Sequence, residues 1–397
     1  MTRSNTSTSP VIRRAEFLPF SPPCIGEEEI AEVVETLRSQ WITTGPKTKR
    51  FEQEFGDFIG APGALALNSC TAGLHTALVA LGVGPGDEVI TTPMTFAASA
   101  NVIEHVRART VFVDVEPDTL NIDPRRVEQA ITRRTAAIIV VHYSGHPADM
   151  EPIRAIASRA GIPVIEDAAH ALPASYRGVR IGATPNFVAF SFYATKNLTT
   201  AEGGMLTGDP ELIDRARVIG LHGMSRDAWK RYEKGGSWQY EVVLPGFKYN
   251  MTDLQAAIGL QQLRKLEQMQ AARRSVVRQY REALGDEPAL ELPDPRADVE
   301  HAWHIYMIRL RLDMLRIDRS QFIRELAARN IGTSVHFIPV HLHPYYRDKY
   351  DLKPADLPVA YENHLRQLSL PLHPRLTQAD VADVSEAVLD VVETFRR

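Results

Sequence analysis

The sequence predicts an α/β protein, a large domain on a mostly parallel, doubly wound sheet followed by a smaller C-terminal α+β domain. Three observations carry that expectation. Short apolar runs alternate with helical periodicity between residues 64 and 221, and such alternation builds parallel sheets through crossover helices. Two of these runs, PVIED ending at Asp167 and NFVAFS ending at Ser191, finish in polar groups, at the strand ends where open α/β sheets keep their ligands. Composition then shifts at Gly285-Asp286-Glu287-Pro288 and LPDPRAD, which marks a hinge. The domains therefore read as a disordered tail over 1–15, a large domain over 16–284 and a small one over 285–397.

A chain of 397 residues with 44% hydrophobic and 24% charged side chains holds a large core and a second domain. The net charge of -4, from 45 basic and 49 acidic residues without a long basic stripe, argues against a nucleic-acid partner. Two cysteines, Cys24 and Cys70, exclude a disulfide framework and point to a reducing, cytoplasmic setting. No apolar stretch approaches the roughly 20 residues of a membrane span, so no membrane partner is expected. The first dozen residues lack the apolar centre of a signal peptide.

In chain order, GEEEIAEVVETLRSQ from Gly26 spaces Ile30, Val33, Val34 and Leu37 at helical intervals behind an acidic first turn, predicting an amphipathic helix. The turn WITTGPKT leads into a second helix over Lys49 to Ile59. ALAL is a strand, and a helix begins at Ser69, Cys70 and Thr71. Free N–H groups and the helix dipole make that start an anion site, and an N-cap by Ser69 or Thr71 is compatible with it. Cys70 there reads as a small packing residue rather than a nucleophile. EVITTP is the next strand, a helix opens near Phe96, and TVFVDV, DPRRVEQAI and AAIIVV continue the alternation, leaving His142 and His146 just past a strand end. GGMLTGDPELIDRARVIGLHG supplies a strand and a helix, Arg226 to Tyr240 a loop over the site, and PGFKYNMTDLQ the entrance to a long helix. In the C-terminal domain HIYMIRLRL reads as a strand, RSQFIRELAARN as a helix, GTSVHFIPVHLHPYY as a strand with a His-rich end, and Gln378 to Arg397 as an amphipathic helix. His341 and His343 alternate on that last strand, but no carboxylate or cysteine pair joins them at a metal-ligand interval, so no metal site is expected.

The chemistry concentrates between Pro163 and Gly204. One strand end carries Asp167 with His170 behind it; the other carries Ser191, then Lys196 in a Thr/Asn-rich loop before Gly203-Gly204. A carboxylate, a hydroxyl and an amine on neighbouring strand ends are what pyridoxal phosphate requires. The amine bonds to its aldehyde, the carboxylate keeps the pyridine nitrogen protonated, and the hydroxyl donates to the phosphate.

EDAAHALPASYRG, FSFYATKNLTTAEGG and PGFKYNMTDLQAAIG, in that order, resemble the DegT/DnrJ/EryC1/StrS family, nucleotide-sugar aminotransferases of pyridoxal-phosphate fold type I. The likeness extends from LPFSPPCIGEEEI to TSVHFIPVHLHPYYR, nearly the whole chain. It implies a cofactor phosphate on Cys70 and Thr71, a pyridine ring stacked on Phe96, and a homodimer with shared active sites. In such a dimer Lys248 or Asn250 reaches the partner's phosphate; many relatives carry Gly-Tyr-Asn-Tyr-Arg where this chain has Gly246-Phe247-Lys248-Tyr249-Asn250. The resemblance also places the Trp41 to Gly45 turn, His146, His336 and His341 near the substrate. It implies amino transfer from an amino acid, L-glutamate above all, to a keto group, C4 above all, of a nucleotide-linked sugar. Two rivals belong to the same family: sugar dehydratase-type enzymes, some with histidine in place of the lysine that is retained here as Lys196, and cofactor-binding regulators without turnover. A nicotinamide dehydrogenase is set aside because no G-x-G-x-x-G follows the first strand.

Overall fold

The computed structural model describes residues 14–225 and 240–397. The tail up to residue 13 and the loop read over Arg226 to Tyr240, except Tyr240 itself, lie outside the described residues.

The strands run in chain order as β1 Ala64–Leu67, β2 Glu88–Thr91, β3 Arg109–Phe112, β4 Thr135–Val141, β5 Val164–Asp167, β6 Ser175–Tyr176, β7 Val179–Arg180, β8 Phe187–Ser191, β9 Gly204–Thr207, β10 Leu290–Glu291, β11 Val299–Glu300, β12 Tyr306–Leu310 and β13 Gln367–Leu370. The central sheet has the order β1-β9-β8-β5-β4-β2-β3. Only β9 runs against its neighbours in it; every other pairing is parallel. A parallel sheet is covered on both faces, so its strands read as nearly continuous apolar runs. β4 and β5 follow that rule, with Ile138, Ile139, Val140 and Ile165 fully buried.

One face packs on Phe51, Phe55, Phe190 and Phe192, whose rings meet at 5.2 to 6.1 Å; the other packs on the helix Cys70–Ala80. The helix Asp253–Leu284 opens with a capping box between Thr252 and Gln255, which satisfies two otherwise free N–H groups. Its first half adds Leu260, Leu263 and Leu266 to the core beside the sheet. Its second half adds Val276, Val277, Tyr280 and Leu284 to a separate core. That core lies under the antiparallel sheet β10-β12-β13 and the helices Arg319–Ala328 and Gln378–Phe395.

Three expectations change. The helix read from Lys49 begins at Pro46, because buried Asp253 accepts from the backbone N–H groups of Gly45, Lys47 and Thr48 at 2.8, 3.0 and 2.9 Å. That cap is supplied 205 residues away, beyond the reach of a local pattern. The helix Glu27–Ser39 turns Glu29 and Thr36 inward, while Ile30, Val34 and Leu37 are exposed. Finally, GTSVHFIPVHLHPYY is not a strand. It makes an isolated bridge at Ser334, a 3-10 turn over Val340–Leu342 and the start of the helix Pro344–Tyr350. Pro339 and Pro344 carry no N–H for a ladder, so the alternating pattern finds no partner strand. His341 therefore lies in a turn and His343 caps a helix.

Candidate active site

The strand register assembles the site. β5 and β8 are parallel neighbours with Asp167 level with Ala189, so Asp167 and Ser191 emerge at the same sheet edge. Antiparallel β9 brings Gly204 opposite both Ser191 and Leu67. A side chain at Gly204 would place its Cβ 2.5 Å from the Ser69 carbonyl carbon and 2.6 Å from the Cys70 nitrogen. This close approach is why the position is glycine.

The helix Cys70–Ala80 starts at this junction. Ser69 is its N-cap, its hydroxyl accepting from Ala72 N at 3.0 Å. The first-turn N–H groups of Cys70 and Thr71 have no partner inside the helix, and the Cys70 nitrogen lies against Gly204 at the start of β9. Cys70 itself is buried, with its thiol against the Ala189 carbonyl at 3.4 Å and Asp167 Oδ1 at 3.8 Å. Burial, with the Asp167 charge beside it, raises its pKa well above the ordinary thiol value. That suits packing and not nucleophilic attack.

Lys196 sits on a pinned loop. Its own N–H bonds the Tyr193 carbonyl at 2.9 Å. The next residue, buried Asn197, donates to the carbonyls of Leu172 and Ala302 at 2.9 and 2.7 Å, and Thr199 and Thr200 both return to the Phe192 carbonyl. Burial pulls the Lys196 ammonium down to about 8, opposed by the pull of Cys70 and Asp167. No hydrogen bond or ion pair holds its amine among the described residues.

Asp167 is 5% exposed. Its Oδ1 accepts from Ala169 N at 3.1 Å and its Oδ2 from Ser99 Oγ at 2.7 Å. Among the described residues no cation pairs with it. Aromatic rings complete the wall. Phe96, 65% exposed, lies 5.9 Å from Phe337, which stacks 5.7 Å from His170, which in turn lies 4.4 Å from His304. Burial, then the Lys196 charge, keeps His170 neutral, well below the ordinary histidine value, and its Nδ1 is buried without a partner. His336 is held down to about 4 by burial and the same charge; its Nδ1 meets Ser369 Oγ at 2.9 Å.

The structure thus groups Lys196, Asp167, Cys70, His170 and His336 electrostatically, with Ser191 and Thr71 on adjoining elements. Lys248 pairs with Asn250, and Asn250 donates to Thr44 Oγ1 at 2.6 Å. Both lie beside the β1 end, where Asn68 N bonds the Tyr249 carbonyl at 2.7 Å. His146 is not in the group. Its Nδ1 faces the Pro147 carbonyl at 2.8 Å and its Nε2 accepts from Arg296 N at 3.2 Å. His341 is fully buried with both ring nitrogens unpartnered. Ser99, Phe337, His304 and Asn197 were not singled out from sequence. Asn197 and Phe337 carried a local signal, as the residues after Lys196 and His336.

Pyridoxal phosphate fits these residues: a half-buried amine without a partner among the described residues, a carboxylate without an ion pair, an unpartnered imidazole nitrogen, an open aromatic face and a helix start kept clear by Gly204. Comparison with known proteins agrees. Residues 23–389 match the model of the DegT/DnrJ/EryC1/StrS aminotransferase family. The chain belongs to that family. It is a pyridoxal-phosphate-dependent aminotransferase of fold type I. It is 52% identical over 385 residues to the spore coat polysaccharide biosynthesis protein SpsC of Bacillus subtilis, covering 96% of this chain and 99% of SpsC. Spr1654 from Streptococcus pneumoniae, a candidate sugar aminotransferase in its PLP-form, superposes with a TM-score of 0.89 at 36% identity, covering 95% of this chain and 99% of that one. PseC from Helicobacter pylori, an aminotransferase involved in the biosynthesis of pseudoaminic acid, gives 0.88 at 28% identity over 96% of this chain and 100% of its own. Among the described residues no helix is long and apolar enough to cross a membrane.

Proposed function

We propose that this aminotransferase moves an amino group from L-glutamate to the C4 keto group of a nucleotide-linked sugar in the cytoplasm. The observation that carries the reading is the half-buried Lys196 amine, without a hydrogen bond or ion pair among the described residues, set electrostatically against the Asp167 carboxylate at one sheet edge. SpsC, a spore coat polysaccharide biosynthesis protein, and PseC, an aminotransferase of pseudoaminic acid biosynthesis, support a sugar as acceptor.

When bound, pyridoxal phosphate supplies an electron sink conjugated with the migrating amine. Lys196 Nζ, its pKa lowered to about 8, is poised near neutrality to move the proton off the donor's α-carbon and later to deliver one to the acceptor carbon. Asp167 would hold the proton on the ring nitrogen. The N–H groups of Cys70 and Thr71, with Ser191, would hold the phosphate, and Phe96 and His170, from the same aromatic wall, would contact the ring. His336 lines the sugar side.

A second copy completes the site in this reading, with Lys248 or Asn250 reaching the partner's phosphate. The exposed apolar row Ile30, Val34, Leu37, Trp41 and Ile42 supports such a partner, since a helix that turns its polar side inward needs cover for the other. The domain division at residue 285 is part of the same proposal, supported by the two separate cores that the long helix joins.

The test is to charge the enzyme with amine from L-glutamate and offer it UDP-, dTDP- and GDP-linked 3-keto and 4-keto sugars, following cofactor absorbance. Amine loss to a 4-keto sugar is expected. No reaction with glutamate favours the regulator, and deoxygenation in place of amination the dehydratase type. Lys196, in the place where some dehydratases carry histidine, favours transamination.

A further inference from the structure

Asp167 is anchored by a hydroxyl chain that the reaction scheme does not use. Ser99 stands in the first turn of the helix Ala98–His105 and is fully buried. A helical serine commonly returns its hydroxyl to a carbonyl of its own helix. Ser99 instead donates to Asp167 Oδ2 at 2.7 Å, across 68 residues of sequence. Its other contact is Thr95 Oγ1 at 2.7 Å, and Thr95 is only 2% exposed. A hydroxyl has one proton, and that of Ser99 is committed to the carboxylate, so the Thr95 hydroxyl is the donor between the two. The chain runs Thr95 to Ser99 to Asp167, each donor polarising the next.

The other carboxylate oxygen takes the Ala169 amide and the Cys70 thiol. All the donors are neutral, and Oδ2 carries one of them, leaving a lone-pair direction for the ring N–H. The same turn fixes the stacking residue, because Ser99 N bonds the Phe96 carbonyl at 3.3 Å.

We propose that Ser99, backed by Thr95, is a positioning residue that keeps Asp167 ionised and aimed, and thereby keeps the proton on the cofactor ring nitrogen. This rests on the reading of Asp167 as the ring-nitrogen partner. A hydroxyl donating to a carboxylate favours its charged form. Without it, the proton shared between ring and carboxylate moves toward Asp167.

The test loads the full-length protein and its Ser99→Ala, Ser99→Thr and Thr95→Val variants with pyridoxal phosphate labelled with ¹⁵N in the ring. The ring ¹⁵N shift is then followed across about pH 6 to 9, together with the rate of cofactor release. The native protein and Ser99→Thr are expected to hold a protonated ring nitrogen throughout. Ser99→Ala is expected to move the signal toward neutral pyridine and to release cofactor about tenfold faster. Thr95→Val is expected to move it the same way by less, and it carries the test alone if Ser99→Ala does not fold. A native-like signal and release rate in Ser99→Ala, or in Thr95→Val where that stands alone, overturns the proposal. An unprotonated ring nitrogen in the native protein overturns the Asp167 reading itself, and the proposal with it.

Discussion

Two carboxylates stand next to each other on β5, and they do opposite work. Glu166, fully buried, faces His142 Nε2 at 3.0 Å, Arg154 at 3.3 Å and Asn186 at 3.0 Å. Burial alone would raise its pKa, yet the His142 hydrogen bond and charge, then Arg154 and Asn186, bring it below the ordinary value. Asp167, one residue on and on the opposite face, has a hydroxyl, an amide and a thiol and, among the described residues, no ion pair. A strand's two-residue alternation makes this possible: one acid is spent on holding neighbouring elements together, and the next keeps its charge for a ligand. A buried acid with its own cations is a structural part. One held only by neutral donors is waiting for a positive partner.

Exchanging the charge at each acid tests that contrast most strongly. Asp167→Asn is expected to slow the half-reaction with L-glutamate by at least about 10²-fold with little change in apoprotein unfolding. Glu166→Gln is expected to cost about 1–3 kcal/mol in urea unfolding while the folded enzyme reacts within a few-fold of normal. Equal effects of both on rate would erase the distinction. Gly204→Ala probes the phosphate end of the same edge. Its Cβ would fall 2.5 Å from the Ser69 carbonyl carbon, and the forced shift is expected to cost about 1–3 kcal/mol and weaken cofactor binding in an equilibrium titration.

The smallest effect lies in pH. Capture of pyridoxal phosphate by the apoprotein should accelerate through a midpoint near 8, as the Lys196 ammonium loses its proton. Asp167 holds that value up, so Asp167→Asn should lower the midpoint and Glu166→Gln leave it in place, read from pH-dependent capture rates. The unfolded chain keeps the lysine proton to about 10.5. Lys196 therefore costs apoprotein stability below pH 8, and that cost fades as pH rises from 8 toward 10.5.

Much of this site was legible because its parts are local. Asp167 and Ser191 end apolar runs, Lys196 follows in a polar loop, and Gly204 belongs to an unusual glycine pair. Each signal fits within a few residues, and the parallel register aligns them without further instruction. What escaped was carried by distance. Ser99 reaches Asp167 across 68 residues; His304 meets Asn197 across 107; Phe337 lies in a segment whose alternation mimicked a strand. The outward row of Ile30, Val34 and Leu37 was visible as periodicity, but periodicity does not say which side of a helix faces the core. That choice was made by Lys265 and Gln262, which bind Glu29 from the long helix.

The most direct measurement is to load the purified protein with pyridoxal phosphate, reduce it with borohydride and map the modified peptide. A single label on Lys196 is expected. A label on another lysine, or protein that takes up no cofactor at all, would contradict it.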